Sequence, residues 1–254
     1  MKKPKLTVIG AGPGDVDLIT LKAIKLLKTA DVVLYDALVN SELLAFINPD
    51  ATQIFVGKRR GCYQYQQEQI NELIVAQAKT SGHVVRLKGG DPFIFGRGAE
   101  EMEYAASFGI EVAVVPGISS SIAVAAYQNI PLTKRGSAES FWVITGTTKE
   151  HKISNDIELA AKSNATVVVL MGMSKLPQIV QLFQRQGKNN LPVAIIQEGT
   201  TSNEKIGIGT IDTIENIVVE KELSNPAIIV LGEVVKHRQR ILEIQHQYVN
   251  EFNV

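Results

Sequence analysis

Short apolar runs recur along the chain and alternate with stretches where apolar residues return at helical spacing. That pattern predicts α/β architecture. LTVIG (6–10) reads as a buried strand, and the helix expected after it sets Leu21, Ile24 and Leu27 on one face. A second strand, DVVLY, ends near Asp36, and TQIFV supplies a third. Residues 67–79 read as a helix with Ile70, Leu73 and Ile74 on one side. HVVRLK is a strand running into a glycine turn, and AEEMEYAASFG is a helix closed by Gly109. EVAVV is a strand, followed by the turn PGISS and a helix over SSIAVAAYQ. The polar, aperiodic stretch 131–140 carries Pro131 and Gly136 and marks a boundary. It divides the chain into an N-terminal α/β domain (1–134) and a C-terminal α/β domain (135–254). In the second domain FWVIT, TVVVL, PVAIIQ, KIGIGT and PAIIVL are strands. The segment KLPQIVQLFQRQG is a helix with Leu176, Ile179, Val180 and Phe183 inward, and the tail after Arg238 is helical.

Charge narrows the partners. The chain has 254 residues, with 26 basic against 26 acidic. A net charge of zero gives no general attraction to nucleic acid or to an anionic membrane, and neither is expected as a partner. Hydrophobic residues at 45% exclude a disordered chain. The lone Cys62 excludes an internal disulfide framework and a cysteine metal cluster, and it fits a reducing, cytoplasmic setting. The basic start is followed by an apolar run that glycine breaks at once, so it reads as a first strand and not as a signal peptide. No run approaches the ~18 apolar residues of a membrane span.

Candidate chemistry lies where glycine-rich turns follow strands. GAGPGD (10–15) departs from the dinucleotide pattern, because Asp15 holds the third glycine slot and Pro13 removes a backbone donor. In RLKGGDPFIFGRGAEE (86–101), Gly89 and Gly90 permit close backbone approach at a strand end. Asp91, held extended before Pro92, is expected to point its carboxylate into a cleft. Phe93, Ile94 and Phe95 give an apolar wall, and Arg97 between two glycines is free to reach a ligand. Glu101 is expected only to complement the dipole of its helix. GKRRG places Lys58, Arg59 and Arg60 in a loop, and Lys134 with Arg135 forms a second basic pair; each is either a solvated turn or a docking point for a polyanion. There is no HExxH, Walker loop or G-x-S-x-G element, so no metal is expected. His83 and His151 read as surface residues.

Taken together, GAGPGD, YDALV, GKRRG, RLKGGDPFIFGRG, PGISS, NIPLTKRG, LMGM and PAIIVLGEVV resemble the tetrapyrrole methylase family, in order over nearly the whole chain. Within it the match is to the branch that methylates uroporphyrinogen III. The resemblance implies two α/β lobes with a ligand cleft between them, a homodimer, and S-adenosyl-L-methionine as methyl donor without a metal. It implies methylation of uroporphyrinogen III at C2 and C7 to precorrin-2, on the way to sirohaem or cobalamin. Carried over by motif, the cofactor residues are Pro13, Gly89, Gly90, Asp91, Ile94, Ser119, Ser120, Met171, Gly199 and Ala227. Asp36 resembles the family's proton acceptor, Lys58 its donor, and Arg97 with Glu100 its substrate-side pair. The chain departs from the family pattern at Lys134, at Thr147 and over Asn203 to Lys205.

These residues suit a reaction in which an activated methyl group meets an electron-rich pyrrole carbon. Positioning supplies much of the rate, and a carboxylate such as Asp36 relieves the positive charge left on the macrocycle. Two alternatives stand beside this: another tetrapyrrole or precorrin methylase of the same fold, and a nucleotide-binding oxidoreductase or sensor module resting on GAGPGD alone.

Overall fold

The computed structural model describes residues 2–57 and 65–252. The chain divides into two compact units, residues 1–120 and 121–254. The division precedes the expected boundary because Val124, Ala125 and Ile130 are buried among Val168, Ala194, Ile196, Ile228 and Val230 of the second unit. The polar stretch after residue 130 is therefore a loop of that unit and not the linker.

The first unit is a parallel sheet of β1 (Lys5–Gly10), β2 (Val32–Tyr35), β3 (Thr52–Phe55), β4 (His83–Lys88) and β5 (Glu111–Val115), in the order β3-β2-β4-β1-β5. β1 and β4 are buried along nearly their whole length because both their faces are covered. One face packs Leu6, Val8, Val32, Leu34 and Val84 under α2 (Gln67–Ser81) and α3 (Gly98–Ser107), through Ile70, Ile74 and Ala105. The other face packs Ile9, Val33, Val85 and Leu87 against α1 (Leu21–Leu27). Here Ala23 and Leu27 face the core, while Leu21 is exposed, contrary to the expected face. Leu21 is the first residue of the helix, with the Thr20 hydroxyl accepting the Ala23 N–H as its cap.

The second unit begins with α4 (Ser120–Tyr127) and carries a mixed sheet. Its strands are β6 (Phe141–Thr145), β7 (Thr166–Leu170), β8 (Pro192–Gln197), β9 (Lys205–Thr210) and β10 (Ala227–Leu231), in the order β6-β7-β10-β8-β9. β6 and β7 run parallel, and β10 runs antiparallel to both of its neighbours. α5 (Asp156–Lys162) and α6 (Leu176–Arg185) cover one face, with Ile157, Ile179, Val180 and Phe183 buried. α7 (Ile214–Glu220) follows β9, and α8 (Lys236–Phe252) ends the chain.

Candidate active site

Three turns meet at the carboxyl end of the first sheet, where parallel α/β folds bind ligands. They follow β1, β4 and β5. Register puts Gly10 beside Lys88 and Ile9 beside Val115, so the turns leave the sheet side by side. A Cβ on Gly117 would lie 2.2 Å from the Gly90 carbonyl oxygen, and one on Gly10 would lie 2.5 Å from Gly117 Cα. The three backbones touch, and no side chain fits between them. Backbone hydrogen bonds complete the lock: the Ala11 N–H donates to the Lys88 carbonyl at 2.8 Å, and Gly12 and Gly90 exchange bonds at 3.2 and 2.7 Å. Gly90 has φ +67°, and a Cβ there would meet nothing nearer than the Ser120 nitrogen at 3.8 Å. Its glycine therefore serves the backbone angle, and the space over it is open.

Asp91 is expected to point its carboxylate into a cleft, but both its oxygens are engaged by backbone N–H groups of the turns. Its carboxylate turns back to accept the Phe93 N–H at 2.8 Å and the Gly117 N–H at 3.0 Å. An unpaired buried N–H costs more than a made bond returns, so Asp91 staples the turn after β4 to the turn after β5. Pro13 is half-buried, Ser119 is buried and Ser120 is half-buried in the same turns. Phe93, Ile94 and Phe95 are exposed, as is Leu38 of the YDALV loop. That loop is itself fitted against glycine, since a Cβ on Gly89 would lie 2.6 Å from Leu38 Cβ.

Arg97 is not free: its guanidinium grips Glu100 through two bonds, Nε to Oε1 at 3.0 Å and Nη2 to Oε2 at 2.6 Å. The pair is half-exposed and sits at the start of α3. Arg97 has φ +61° and Phe95 φ +55°, left-handed conformations that cost roughly 1–3 kcal/mol each and gather at functional sites. Lys58, Arg59 and Arg60 lie outside the described residues.

Asp36 follows β2. Its Oδ1 accepts the Leu38 N–H at 3.0 Å, and its Oδ2 faces Arg86 Nη2 at 3.5 Å. Arg86 leads into a buried ion cluster. Its Nε donates to Glu101 Oε1 at 3.2 Å, and Lys88 Nζ reaches both Glu101 oxygens, at 2.9 and 3.1 Å. Gln67 Nε2 is a third donor, to Oε1 at 3.2 Å. Glu101 has 0% exposure, so it is the counter-ion of two buried cations and not merely a complement to the helix dipole. Burial, with Arg86 next in weight, holds the Lys88 ammonium below its ordinary range despite Glu101. From the sequence alone Glu101 is given only the helix dipole, and Arg86 and Lys88 are assigned no role. The available signal was Arg86 and Lys88 at i and i+2 of an interior strand, on one face, which demands a buried anion.

His83 is half-buried at the opposite end of β4, with Nε2 2.9 Å from the Thr7 hydroxyl, and is not a plain surface residue. His151 is exposed. Among the described residues no group of His, Cys, Asp and Glu could hold a metal ion.

In the second unit, Leu170 pairs with Ile228 and Gln197 with Ala227. Met171, Gly199 and Ala227 therefore come to one end of that sheet. Met171 is exposed at φ +55°, and the Thr147 hydroxyl donates to its carbonyl at 3.1 Å. A Cβ on Gly199 would lie 2.3 Å from Val124 Cγ1. Glu204 accepts the Thr200 N–H at 2.8 Å and also bonds Gln128, so the departures at Thr147 and Glu204 brace the loops that carry Met171 and Gly199. Lys134 Nζ lies 3.1 Å from His237 Nδ1.

The family model for Tetrapyrrole (Corrin/Porphyrin) Methylases matches residues 5–215. The chain belongs to the tetrapyrrole methylase family. It is 45% identical over 233 residues to a uroporphyrinogen-III C-methyltransferase of Methanocaldococcus jannaschii, covering 91% of this chain and 96% of that one. It is 44% identical over 235 residues to a sirohaem synthase of Nitrosomonas europaea, covering 92% of this chain and 50% of that one. The chain thus spans about half the length of that curated relative. Among solved structures, the uroporphyrin-III C-methyl transferase of Thermus thermophilus complexed with S-adenyl homocysteine superposes with a TM-score of 0.79 at 36% identity. That match covers 91% of this chain and 99% of the other. The two-sheet α/β architecture is that of the tetrapyrrole methylases.

Proposed function

We propose that the chain is an S-adenosyl-L-methionine-dependent methyltransferase that converts uroporphyrinogen III to precorrin-2 by methylation at C2 and C7. The observation that carries this is the lock of Gly10, Gly90 and Gly117. It spends the Ala11 and Gly12 N–H groups on the Lys88 and Gly90 carbonyls. A dinucleotide fold needs free donors in that turn for pyrophosphate, so the lock disfavours the oxidoreductase alternative. The open space over Gly90 and the exposed, apolar Ile94 in the same connection between β4 and α3 suit an uncharged adenosyl group and a sulfonium. The likeness to the Thermus thermophilus enzyme, solved with S-adenyl homocysteine, supports the same cofactor.

Pro13, Gly89, Gly90, Ile94, Ser119 and Ser120 would line the cofactor site in the first unit, with Asp91 fixing the turns. Met171, Gly199 and Ala227 would do so in the second. The cofactor supplies a methyl group already activated for attack. Arg97 and Glu100 orient the substrate, with the guanidinium exchanging part of its hold on Glu100 for a substrate carboxylate. Asp36 stabilises the positive charge that attack leaves on the macrocycle and accepts its proton. Lys58 is the proposed donor. The protein acts as a homodimer in the cytoplasm, and no helix among the described residues is long and apolar enough to cross a membrane.

The test is calorimetric titration with S-adenosyl-L-methionine, followed by anaerobic turnover of uroporphyrinogen III and weighing of the product. Binding and a gain of two methyl groups are expected. Binding of NAD in place of S-adenosyl-L-methionine, or an unmodified tetrapyrrole, would overturn the proposal.

A further inference from the structure

Methyl transfer as proposed uses Asp36 but gives no part to Arg86, Lys88 and Glu101. Stability does not explain them, because apolar residues of similar volume often replace a buried ion cluster without loss. Their geometry runs in one direction. The Arg86 guanidinium is held from several sides: Nε on Glu101 at 3.2 Å, and Nη1 on the carbonyls of Leu87 at 2.8 Å and Leu34 at 3.4 Å. Its remaining corner, Nη2, faces Asp36 Oδ2 at 3.5 Å. Leu34 and Asp36 lie on the same exit from β2, so one rigid fork holds both the backbone and the carboxylate there. Glu101 is in turn held by Lys88 and Gln67. The cluster contains two buried cations and one buried anion, and Asp36, whose side chain is 23% exposed, supplies the second negative charge.

Resting on the function proposed above, we infer that Glu101 is a positioning residue: acting through Arg86, and kept in place by Lys88, it sets the orientation of the Asp36 carboxylate. Glu101 holds the Arg86 guanidinium back, so that Asp36 is approached at 3.5 Å and not gripped. Without the Glu101 charge, Asp36 becomes the only carboxylate left to two buried cations. Arg86 then closes on it, and the carboxylate turns from the substrate into the cluster.

A double-mutant cycle tests this, read as single-turnover methyl transfer to uroporphyrinogen III from pre-bound S-adenosyl-L-methionine. Glu101→Gln should slow transfer about tenfold to a hundredfold, the size of a small misplacement of a reacting group, with cofactor Kd within about twofold of wild type. In an Asp36→Asn background the same change should have no further effect on rate, because the two act as one unit. Arg86→Lys, which keeps the charge but cannot hold both carboxylates, should show the same coupling and serves if Glu101→Gln does not fold. Additive effects, an unchanged Glu101→Gln rate, or an Asp36→Asn variant as fast as wild type would each overturn the inference. Each would leave the methyltransferase reading intact. That reading fails separately, if the wild-type protein transfers no methyl group.

Discussion

The two sheets solve the same packing problem with different materials. In the second unit β7, β8 and β10 bury Val167, Val169, Ile195, Ile229 and Leu231 under α5 and α6, and among the described residues none of the buried side chains there is charged. In the first unit β4 carries Arg86 and Lys88 and α3 carries Glu101, all buried in one cluster beside Asp36. Apolar burial is additive and forgiving of small changes. A buried ion cluster is all-or-none, since removing one member leaves the others unpaired. The first unit has thus placed its least forgiving interactions next to its candidate chemistry, and the second keeps a core that tolerates repacking.

The contrast breaks most sharply at Glu101. Replacing it with leucine strands two buried cations and should cost about 3–5 kcal/mol, read as the shift of the first unit's urea midpoint. The matching change in the second unit, Ile195→Val, should cost only about 0.5–1.5 kcal/mol. Equal losses in the two experiments would erase the distinction between the units.

The smallest effect concerns His83, at the other end of the strand that bears the cluster. Burial, with Lys5 adding to it, holds its imidazole below the ordinary 6.5. As pH falls through that value the unfolded chain takes up the proton first, so the native state loses stability from there down to the native value. His83→Gln, which keeps a partner for the Thr7 hydroxyl, should flatten the fall in Tm between about pH 7 and pH 5 by a degree or two. An unchanged slope would move the acid sensitivity elsewhere.

Much of this was legible in the sequence. LTVIG, TVVVL and PAIIVL became strands because runs buried on both faces leave no other reading. The glycine turns were legible as well, because they interrupt such runs. α5 went unseen because two of its buried positions, Ala160 and Ala161, are small and write a faint apolar stripe. α7 went unseen because Ile214, Ile217, Val218 and Val219 read equally as strand residues. The antiparallel setting of β10 leaves no local mark, being a matter of which strands it lies between. Glu101 was misread for a related reason. An acid in the first turn of a helix is satisfied by the dipole in any fold, and only the topology that lays α3 over β4 reveals what it is paired with. Asp91 shows the same limit, since the donor it serves, the Gly117 N–H, lies on another turn.

The contact of Gly10, Gly90 and Gly117 bears on how such a chain can vary. Gly10 and Gly117 exclude a side chain because the neighbouring backbones fill the space, and Gly90 is required by its positive φ, which sets its carbonyl against both, so the three positions amount to one constraint. A substitution at one finds no relief in a substitution at another, as every member is already the smallest residue there is. Drift and selection for a new methyl acceptor are thereby confined to what rises above these backbones: Leu38, the exposed run Phe93 to Phe95, and the grip of Arg97 on Glu100.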